Sequence, residues 1–304
     1  VPVSTDFKIT VDTTQAGSAS DTFILSLWPG TTSMTVYWGD GNSDVITSYN
    51  QAELSHTYAS SGTYQISCDG SFVGTQYYGG DKKKIMSIDN WGSNVWSKAL
   101  YSFDGCSNMV GNYTDVPNTS NVTDIGYMFR GCTNFNSDVS FDTSSVTNMI
   151  SLFQNCTNFD QPVTFDTSSV TNMNSLFSGC TNFNQSISFN TSVVTNMASM
   201  FSSCSSLNSS ITFSDSSNVT NMASTFRSCL VFNQAVSFNT SSVTLLYQTF
   251  FGCTNFDQDV SGFNISSLTN ATGMLQNTAF STTNYDLLLV GWQGQTHNNS
   301  VPFH

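Results

Sequence analysis

The stretch Val146-Thr-Asn-Met-Ile-Ser-Leu-Phe-Gln-Asn-Cys-Thr-Asn-Phe-Asp160 decides the fold of this 304-residue chain, because it recurs with few changes. Equivalent stretches begin 24, 24, 24, 25 and 24 residues apart, at Val122, Val146, Val170, Val194, Val219 and Val243. A fixed period of about 20 to 50 residues is typical of proteins in which structural repeats stack on one another. Six repeats therefore organise residues 122–267, and each is expected to pack against its neighbours.

Phenylalanine recurs at fixed positions of the repeat and predicts its core. One column stands three residues before each repeat cysteine, at Phe129, Phe153, Phe177, Phe201, Phe226 and Phe250. Phe103 continues this column in a degenerate first repeat, and further phenylalanines follow later in each repeat. Because paired strands lie about 4.8 Å apart, equivalent side chains are expected to stack in a buried core.

Cysteine forms a second column, at Cys106, Cys132, Cys156, Cys180, Cys204, Cys229 and Cys253. Buried free thiols that pack as small hydrophobic side chains are the favoured interpretation. Disulfides between adjacent repeats remain an alternative, since Cys68 makes the total even and neighbouring strands have a permitted Cα separation. A metal site is disfavoured, because one cysteine per repeat gives a line of thiols rather than a tetrahedron.

The composition excludes several classes of partner. Charged residues make up 9% of the chain and the net charge is −13, so nucleic acid is a poor candidate. No apolar run approaches the ~20 residues of a membrane span. Serine, threonine and asparagine take the place of charged surface residues, and they favour turns and caps over helix interiors. Long helices are therefore not expected.

Two further features concern location and charge. The chain begins at Val1 without a basic segment and an apolar leader, which fits a secreted protein after signal-peptide removal and equally fits a shortened chain. The one basic run, Lys82-Lys83-Lys84, is interpreted as a solvated turn. A secreted or extracellular location, at a cell surface or in a fibre, is therefore predicted.

Short strands separated by turn residues predict an antiparallel β-sandwich over residues 1–80. Within it, the motifs Trp38-Gly-Asp-Gly41, His56-Thr-Tyr58 and Gly62-Thr-Tyr64 resemble the PKD family, an Ig-like module of extracellular proteins. The resemblance implies that these residues are structural. His56 is accordingly interpreted as a packed core histidine. Asp40 and Asp44 offer too few oxygens to fill a calcium shell.

The repeats, with Val-Thr-Asn-Met, Phe-x-x-Cys and a closing Phe-Asp-Thr-Ser-Ser-Val, resemble the BspA-like leucine-rich repeat surface proteins over residues 100–290. The resemblance implies a right-handed solenoid on cell surfaces, in adhesion or structural roles, without shared catalytic residues. The predicted fold class is mainly β: an N-terminal Ig-like, PKD-type β-sandwich followed by a right-handed leucine-rich-repeat-like solenoid with short helical turns. The predicted domains are the sandwich at 1–80, a junction and capping repeat at 81–121, the six-repeat solenoid at 122–267 and a degenerate repeat with a C-terminal cap at 268–304.

A short amphipathic helix is predicted near Tyr285–Trp292, within the C-terminal cap. Glycosylation is predicted from Asn-x-Ser/Thr sequons, several of which share a repeat position; the candidates are Asn112, Asn121, Asn190, Asn218, Asn239 and Asn264. A glycan coat would explain how so weakly charged a surface stays soluble. A plain polar surface remains the alternative.

No catalytic, cofactor-binding or metal site is expected, and the chain is predicted not to be an enzyme. There is no histidine between His56 and His297 and no glycine-rich phosphate loop. Asp142 and Asp166 occupy a repeat position that later carries Asn or Ser, which indicates a turn position rather than a glycosidase pair. His297 and His304 are expected at the surface.

The predicted function is that of an extracellular structural or surface protein that assembles with other copies of itself into a fibre or surface layer. End-to-end contact or strand addition through residues such as Val1–Val11 would join the copies. The alternative is an adhesin, or a viral or phage receptor-binding protein, that binds cell-surface glycans or host proteins. No nucleic acid partner and no membrane span are expected.

Overall fold

The computed structural model of the protein describes residues 5–296 and 301–303. The chain divides into two compact units, Val1–Val146 and Thr147–His304. Over the described residues the regular structure is mainly β, with one α-helix of 12 residues and two 3-10 helices of 3 residues each. None of the described helices is long and apolar enough to cross a membrane.

The described part of the first unit is built on short strands. They are β1 (Phe7–Asp12), β2 (Thr22–Ile24), β3 (Ser33–Tyr37), β4 (Ser43–Ile46), β5 (Ser55–Thr57), β6 (Thr63–Ser71), β7 (Ile85–Asn90) and β8 (Val110–Gly111). The 3-10 helices are Ala52–Leu54 and Lys82–Lys84. One six-stranded sheet has the order β4-β3-β6-β1-β7-β8, and β2 pairs with β5 in a separate two-stranded sheet. The pairs are antiparallel except for β7 with β8.

Strand β1 lies in the middle of the six-stranded sheet, because β6 and β7 pair with its two edges. Its apolar residues Phe7, Ile9 and Val11 are buried and alternate with half-buried ones, as the period of a strand requires. The rings of Trp91 and Trp96 pack at 6.2 and 5.6 Å from Phe7. Both tryptophans lie beyond residue 80, so the core of the sheet draws on the predicted junction.

The predicted Ig-like sandwich is wrong. A sandwich needs two facing sheets of comparable size, whereas here one six-stranded sheet stands beside a two-stranded sheet of three-residue strands. The physical reason is the pairing partner of β1. Its second edge is taken by β7, which lies outside the segment expected to fold alone, and β8 then adds in parallel.

The second unit contains a parallel pair, β9 (Ile187–Phe189) and β10 (Ile211–Phe213), and the helix α1 (Thr282–Gln293). Isolated parallel bridges link each repeat to the next, at Asn148–Asn172, Asn172–Asn196, Asn196–Asn221, Asn221–Leu245 and Leu245–Asn270. We refer to residues 147–277 as the repeat ladder and to one repeat within it as a rung.

Each rung is a series of tight turns with left-handed residues at fixed positions. In one such column φ lies between 52° and 57°, at Ser151, Ser175, Ser199, Ser224 and Gln248. In a second column φ lies between 59° and 78°, at Asn155, Gly179, Ser203, Ser228 and Gly252. Each residue of the second column precedes a cysteine whose N–H closes a turn, as Cys156 does on the carbonyl of Phe153 at 2.9 Å. A left-handed non-glycine residue costs roughly 1–2 kcal/mol.

Hydrogen bonds between rungs offset that cost. Alternate N–H groups donate to carbonyls of the following rung, as in Met149 to Asn172 (3.0 Å), Ser151 to Asn174 (2.9 Å), Phe153 to Leu176 (2.9 Å) and Asn155 to Ser178 (2.7 Å). The same alternation recurs one rung later from Met173, Ser175, Phe177 and Gly179. The left-handed residues therefore aim a row of N–H groups at the next rung.

The predicted leucine-rich-repeat-like solenoid with short helical turns is also wrong. Over residues 147–277 the rungs contain no helical segment, and only β9 and β10 qualify as strands. The two left-handed residues in each rung interrupt any helix, and the short serine and asparagine side chains favour turns. The coarser expectation of a mainly β chain with few helical residues is confirmed.

The phenylalanine column forms the core of the repeat ladder. Ring centroids lie 5.7 Å apart between Phe153 and Phe177, 5.6 Å between Phe177 and Phe201, and 5.5 Å between both later pairs, Phe201–Phe226 and Phe226–Phe250. These five side chains are fully buried. Each stacked pair contributes roughly 0.5–1.5 kcal/mol beyond the burial of its area.

The C-terminal helix α1 is confirmed, but its predicted amphipathic character is wrong. Ser281 caps its N-terminus by accepting a hydrogen bond from the N–H of Asn284 at 3.3 Å. Leu288 is buried, whereas Leu287, Leu289 and Val290 are 44%, 51% and 71% exposed. The apolar residues form a consecutive run, so a helix cannot turn all of them to the same side.

Candidate functional site

The cysteine column is buried and its thiols act as hydrogen-bond donors. All eight cysteines are buried, and none of them forms a disulfide. The thiols donate across 2.8–3.0 Å to carbonyls one repeat earlier, in the pairs Cys132–Phe103, Cys180–Phe153, Cys204–Phe177, Cys229–Phe201 and Cys253–Phe226. Burial raises the pKa of Cys106, Cys180 and Cys229 well above the usual thiol value. Thiolate chemistry is therefore suppressed along this column.

His56 lies in an aromatic cluster of the first unit. Its ring stacks on Trp38 at 4.8 Å and meets the edge of Tyr58 at 4.6 Å. Its Nε2 lies 2.9 Å from a carboxylate oxygen of Asp40. Burial raises the pKa of Asp40, but the hydrogen bonds from His56 and Asn42 outweigh it, so the pKa is lowered overall. Trp38, Tyr58 and Asp40 together hold the histidine ring in place.

The acidic residues considered at the sequence level are engaged in local structure. Asp44 accepts a hydrogen bond from Nε1 of Trp38 at 2.8 Å. Asp142 and Asp166 each accept the N–H of the residue two positions on, at 3.1 and 2.9 Å, which is the geometry of an Asx turn. Among the described residues no group of three or more His, Cys, Asp or Glu side chains could hold a metal ion. His297 and His304 lie outside the described residues.

The basic run does not form the solvated turn that the sequence suggests. Lys83 is exposed, but Lys84 is completely buried. Its Nζ donates to the carbonyls of Ala19 and Thr22 at 2.8 and 2.7 Å and lies 3.9 Å from a carboxylate oxygen of Asp81. The ammonium group therefore binds the loop of residues 18–22 to the chain directly before β7. Asp81, directly before the run, was the available signal, because a buried lysine needs a nearby carboxylate.

The six candidate glycosylation sites are all exposed, but their amide groups differ. Asn190, Asn239 and Asn264 accept the N–H of the serine two residues on through Oδ1, and their Nδ2 atoms meet no acceptor among the described residues. In contrast, Nδ2 of Asn218 donates to the carbonyl of Ser192 at 2.6 Å. Nδ2 of Asn112 lies 3.5 Å from Asp89, and Asn121 is exposed on a turn. The shared column is therefore the set best placed for modification.

Three tyrosines form an aromatic surface on the first unit. Tyr101 and Tyr127 stack at 4.8 Å, and Tyr78, which is 62% exposed, meets Tyr101 at 6.0 Å. The guanidinium of Arg130 lies 4.7 Å from the ring of Tyr127 and forms two hydrogen bonds with Asp104, at 2.8 and 2.6 Å. Such rings can pack against the apolar faces of a ligand. Sequence reasoning missed them, since Tyr101 and Tyr127 stand where later repeats carry serine or glutamine, and Tyr78 lies outside the repeats.

The C-terminal end of the second unit has an apolar surface. A cleft of about 420 Å³ is lined by Leu275, Phe280, Tyr285 and Phe303, among others. A second cleft of about 200 Å³ lies between α1 and the last rung, against Leu268 and Trp292. Together with the exposed leucines of α1, these clefts form a contiguous apolar region of the kind that marks interaction sites. We call it the C-terminal surface.

Comparison with known proteins identifies a family for this chain but indicates no activity. Residues 97–212, 163–237 and 204–298 match the family described as Mycoplasma protein of unknown function, DUF285. The three matches overlap and together span residues 97–298, two thirds of the chain, including the whole repeat region. No curated protein and no solved structure is significantly similar to the chain.

Proposed function

This chain belongs to the DUF285 family, and we propose from its surface chemistry that it is a non-enzymatic, extracellular structural protein that assembles with copies of itself into a fibre or surface layer. The proposal is carried by the C-terminal surface. Leu287, Leu289 and Val290 expose about half or more of their area beside two apolar clefts. A soluble monomer rarely leaves such a run uncovered.

The proposed membership of the BspA-like surface proteins is consistent with this role. The bulky side chains of the repeats are buried and pack against one another, as the phenylalanine stack and the buried thiols illustrate. The outward positions bear small hydroxyl and amide groups. Such a molecule offers a partner its polar sides and its ends, not a reactive centre.

Glycosylation is the second part of the proposal. With a charged fraction of only 9% the surface has few ionic groups to keep copies apart. The unengaged Nδ2 atoms of Asn190, Asn239 and Asn264 recur along one column of the repeats. Glycans at these positions would cover the sides of the repeat ladder and leave its end free for assembly.

Electron microscopy and sedimentation of the purified protein test the assembly. We expect regular fibres or sheets in images, and sedimentation coefficients that rise with protein concentration. Separate monomers at every concentration would contradict the proposal. Removing the glycans enzymatically provides the control, because assembly through the C-terminal surface should survive deglycosylation.

An adhesin or receptor-binding role is the second candidate, and the tyrosine surface favours it. The exposed ring of Tyr78 and the half-buried ring of Tyr127, beside the guanidinium of Arg130, provide both stacking and hydrogen bonds for a glycan. Binding to a glycan array tests this role, with Tyr127→Ala as the variant. Loss of a specific signal in the variant would support adhesion, and an array without any specific signal would contradict it.

A further inference from the structure

Strand β4 forms one edge of the six-stranded sheet. In the described part of the chain it pairs with β3 on one side only. The strand at the opposite edge of the sheet, β8, has only 2 residues. Strand β1 cannot accept a further strand, because both of its edges are paired, and residues 1–4 before it lie outside the described residues. In this sheet β4 is therefore the longer edge at which another strand can add.

The backbone groups of β4 alternate between its two edges. The carbonyl of Asn42, directly before β4, accepts the N–H of Trp38 across the hairpin with β3 at 3.1 Å. Because hydrogen-bonded pairs alternate along an antiparallel pair of strands, Asp44 also bonds toward β3. Ser43 and Val45 consequently turn their N–H and carbonyl groups to the outer edge.

The side chain of Gln51 covers part of this outer edge. Its Nε2 donates to the carbonyl of Val45 at 2.9 Å, and its Oε1 accepts the N–H of Thr47 at 3.0 Å. The hydroxyl of Thr47 lies 3.3 Å from the same Oε1. One carboxamide thus provides the donor and the acceptor that a neighbouring strand would otherwise provide.

A turn and a buried leucine hold Gln51 beside β4. The N–H of Gln51 donates to the carbonyl of Ser48 at 3.3 Å, and its own carbonyl accepts the N–H of Leu54 at 3.2 Å. Leu54 is buried, and its carbonyl accepts the N–H of Leu25 at 2.9 Å. Since the backbone of Gln51 is fixed on both sides, the side chain reaches β4 without the entropy cost of ordering a free loop.

The covered edge has exposed apolar side chains. Val45 is 66% exposed, and Tyr37 on β3 is 46% exposed. Tyr37 pairs with Ser43 and Val45 pairs with Thr35, so the two apolar side chains are diagonal neighbours on one face of the sheet. An edge strand with exposed apolar side chains invites pairing between chains.

A second copy of β4 fits this edge in an antiparallel, two-fold register. With Val45 opposite Val45 of the other copy, the N–H of each meets the carbonyl of the other, and the N–H of Thr47 meets the carbonyl of Ser43. Each of these bonds needs either the carbonyl of Val45 or the N–H of Thr47. Gln51 occupies both groups. Because the register is two-fold, the contact closes as a dimer.

We propose that Gln51 is an autoinhibitory cap on β4. Its carboxamide prevents two copies from pairing through this edge, and its removal permits a two-fold dimer through β4. The cap restricts association to other parts of the molecule, such as the C-terminal surface. This role does not depend on the proposed fibre, since it concerns a different surface and a closed contact.

Hydrogen exchange of the Thr47 amide tests the cap. Gln51→Met keeps the length of the side chain and removes both hydrogen bonds to the backbone. In dilute protein, followed by NMR, we expect the N–H of Thr47 to exchange at least about tenfold faster in this variant. Asn50→Ala is the matched control, because the carboxamide of Asn50 contacts Ser48 in the same turn and should leave the rate nearly unchanged. Equal rates in Gln51→Met and the unchanged chain would overturn the proposal.

Cross-linking at position 45 tests the dimer. Val45→Cys places a thiol on the exposed edge, whereas the natural cysteines are all buried. With a short bismaleimide we expect at least about tenfold more cross-linked dimer when Gln51→Met is also present than when Gln51 is kept. The same dimer yield in both proteins would sink the idea. Fibres formed through the C-terminal surface would contribute equally to both proteins, so failure of the proposed function leaves this comparison intact.

Discussion

The thiol of Cys229 donates a hydrogen bond across 3.0 Å to the carbonyl of Phe201, one rung earlier. The same carbonyl accepts the N–H of Cys204 at 3.0 Å, so both of its lone pairs are used inside the core. The cysteine column therefore has a specific bonding role between rungs as well as a packing role. Serine is therefore the informative replacement for Cys229, because its hydroxyl can also donate a hydrogen bond.

Replacing Cys229 tests that role. Cys229→Ala should lower the free energy of unfolding by about 1–2 kcal/mol, because it removes the donor and leaves a small cavity. Cys229→Ser should cost less, since its hydroxyl can donate to the carbonyl of Phe201. Urea denaturation of the two variants measures the difference. An alanine variant as stable as the serine variant would show that the thiol acts by packing alone.

The thiols should be inert in the folded protein. Burial raises the pKa of Cys68 to about 12 and raises that of Cys106, Cys180 and Cys229 well above the usual value, so almost no thiolate forms at pH 8. We expect iodoacetamide to leave the native chain unmodified and to modify all eight cysteines after denaturation without a reductant. Mass spectrometry counts the adducts. Fewer adducts before reduction than after it would reveal disulfides between adjacent repeats.

Lys84 should be far more important for stability than its neighbour. Lys84→Met removes the donor shared by the carbonyls of Ala19 and Thr22 and leaves the buried carboxylate of Asp81 without its cation. Loss of one partner of a buried pair costs about 3–5 kcal/mol. Lys83→Met, at an exposed position of the same run, should change stability by less than about 0.5 kcal/mol. Equal melting temperatures for the two variants would contradict this assignment.

Acid should destabilise the first unit. At Asp89, burial raises the pKa, but hydrogen bonds from Ser87, Thr10 and Gln65 outweigh it and lower the pKa below the usual 3.8. A carboxyl group with a lowered folded-state pKa stabilises the fold above its unfolded pKa, and that stabilisation is lost as the pH falls through the folded value. We expect constant stability down to about pH 5 and a steep decline below about pH 4. Asp89→Asn should flatten this decline in urea titrations at successive pH values.

Glycan occupancy should follow the amide contacts. In protein from its natural source, peptides with Asn190, Asn239 and Asn264 are expected to carry glycans, because their Nδ2 atoms are exposed and unengaged. Asn218 should be modified less, since its Nδ2 donates to the carbonyl of Ser192. Site mapping by enzymatic deglycosylation in labelled water gives the occupancy of each position. Modification at Asn218 with the other three empty would reverse the expected order.

The periodic features of the repeats were predictable from the sequence, because a core column needs the same side chain in each rung. Phe153, Phe177 and Phe201 stack as their spacing predicts. The backbone between them was not predictable in the same way. Serine at a left-handed position, as at Ser175, has no distinctive composition, and only the hydrogen bond to the next rung makes that conformation favourable.

Features that depend on distant pairing were also beyond the sequence. Nothing in the alternation of Phe7 to Val11 indicates that β7 takes its second edge, and so the sandwich was expected. The burial of Lys84 depends on a loop more than 60 residues earlier in the chain.

The row of bonds between rungs has a mechanical consequence. Where successive rungs are joined by N–H groups such as those of Ser175, Phe177 and Gly179, a pull along the stack strains hydrogen bonds before it strains the covalent chain. A rung that yields would release its 24 residues, roughly 80 Å of extended chain, while the rungs beside it stay folded. Under tension a fibre of such molecules would lengthen stepwise and absorb energy, and its rungs could re-form when the load is removed.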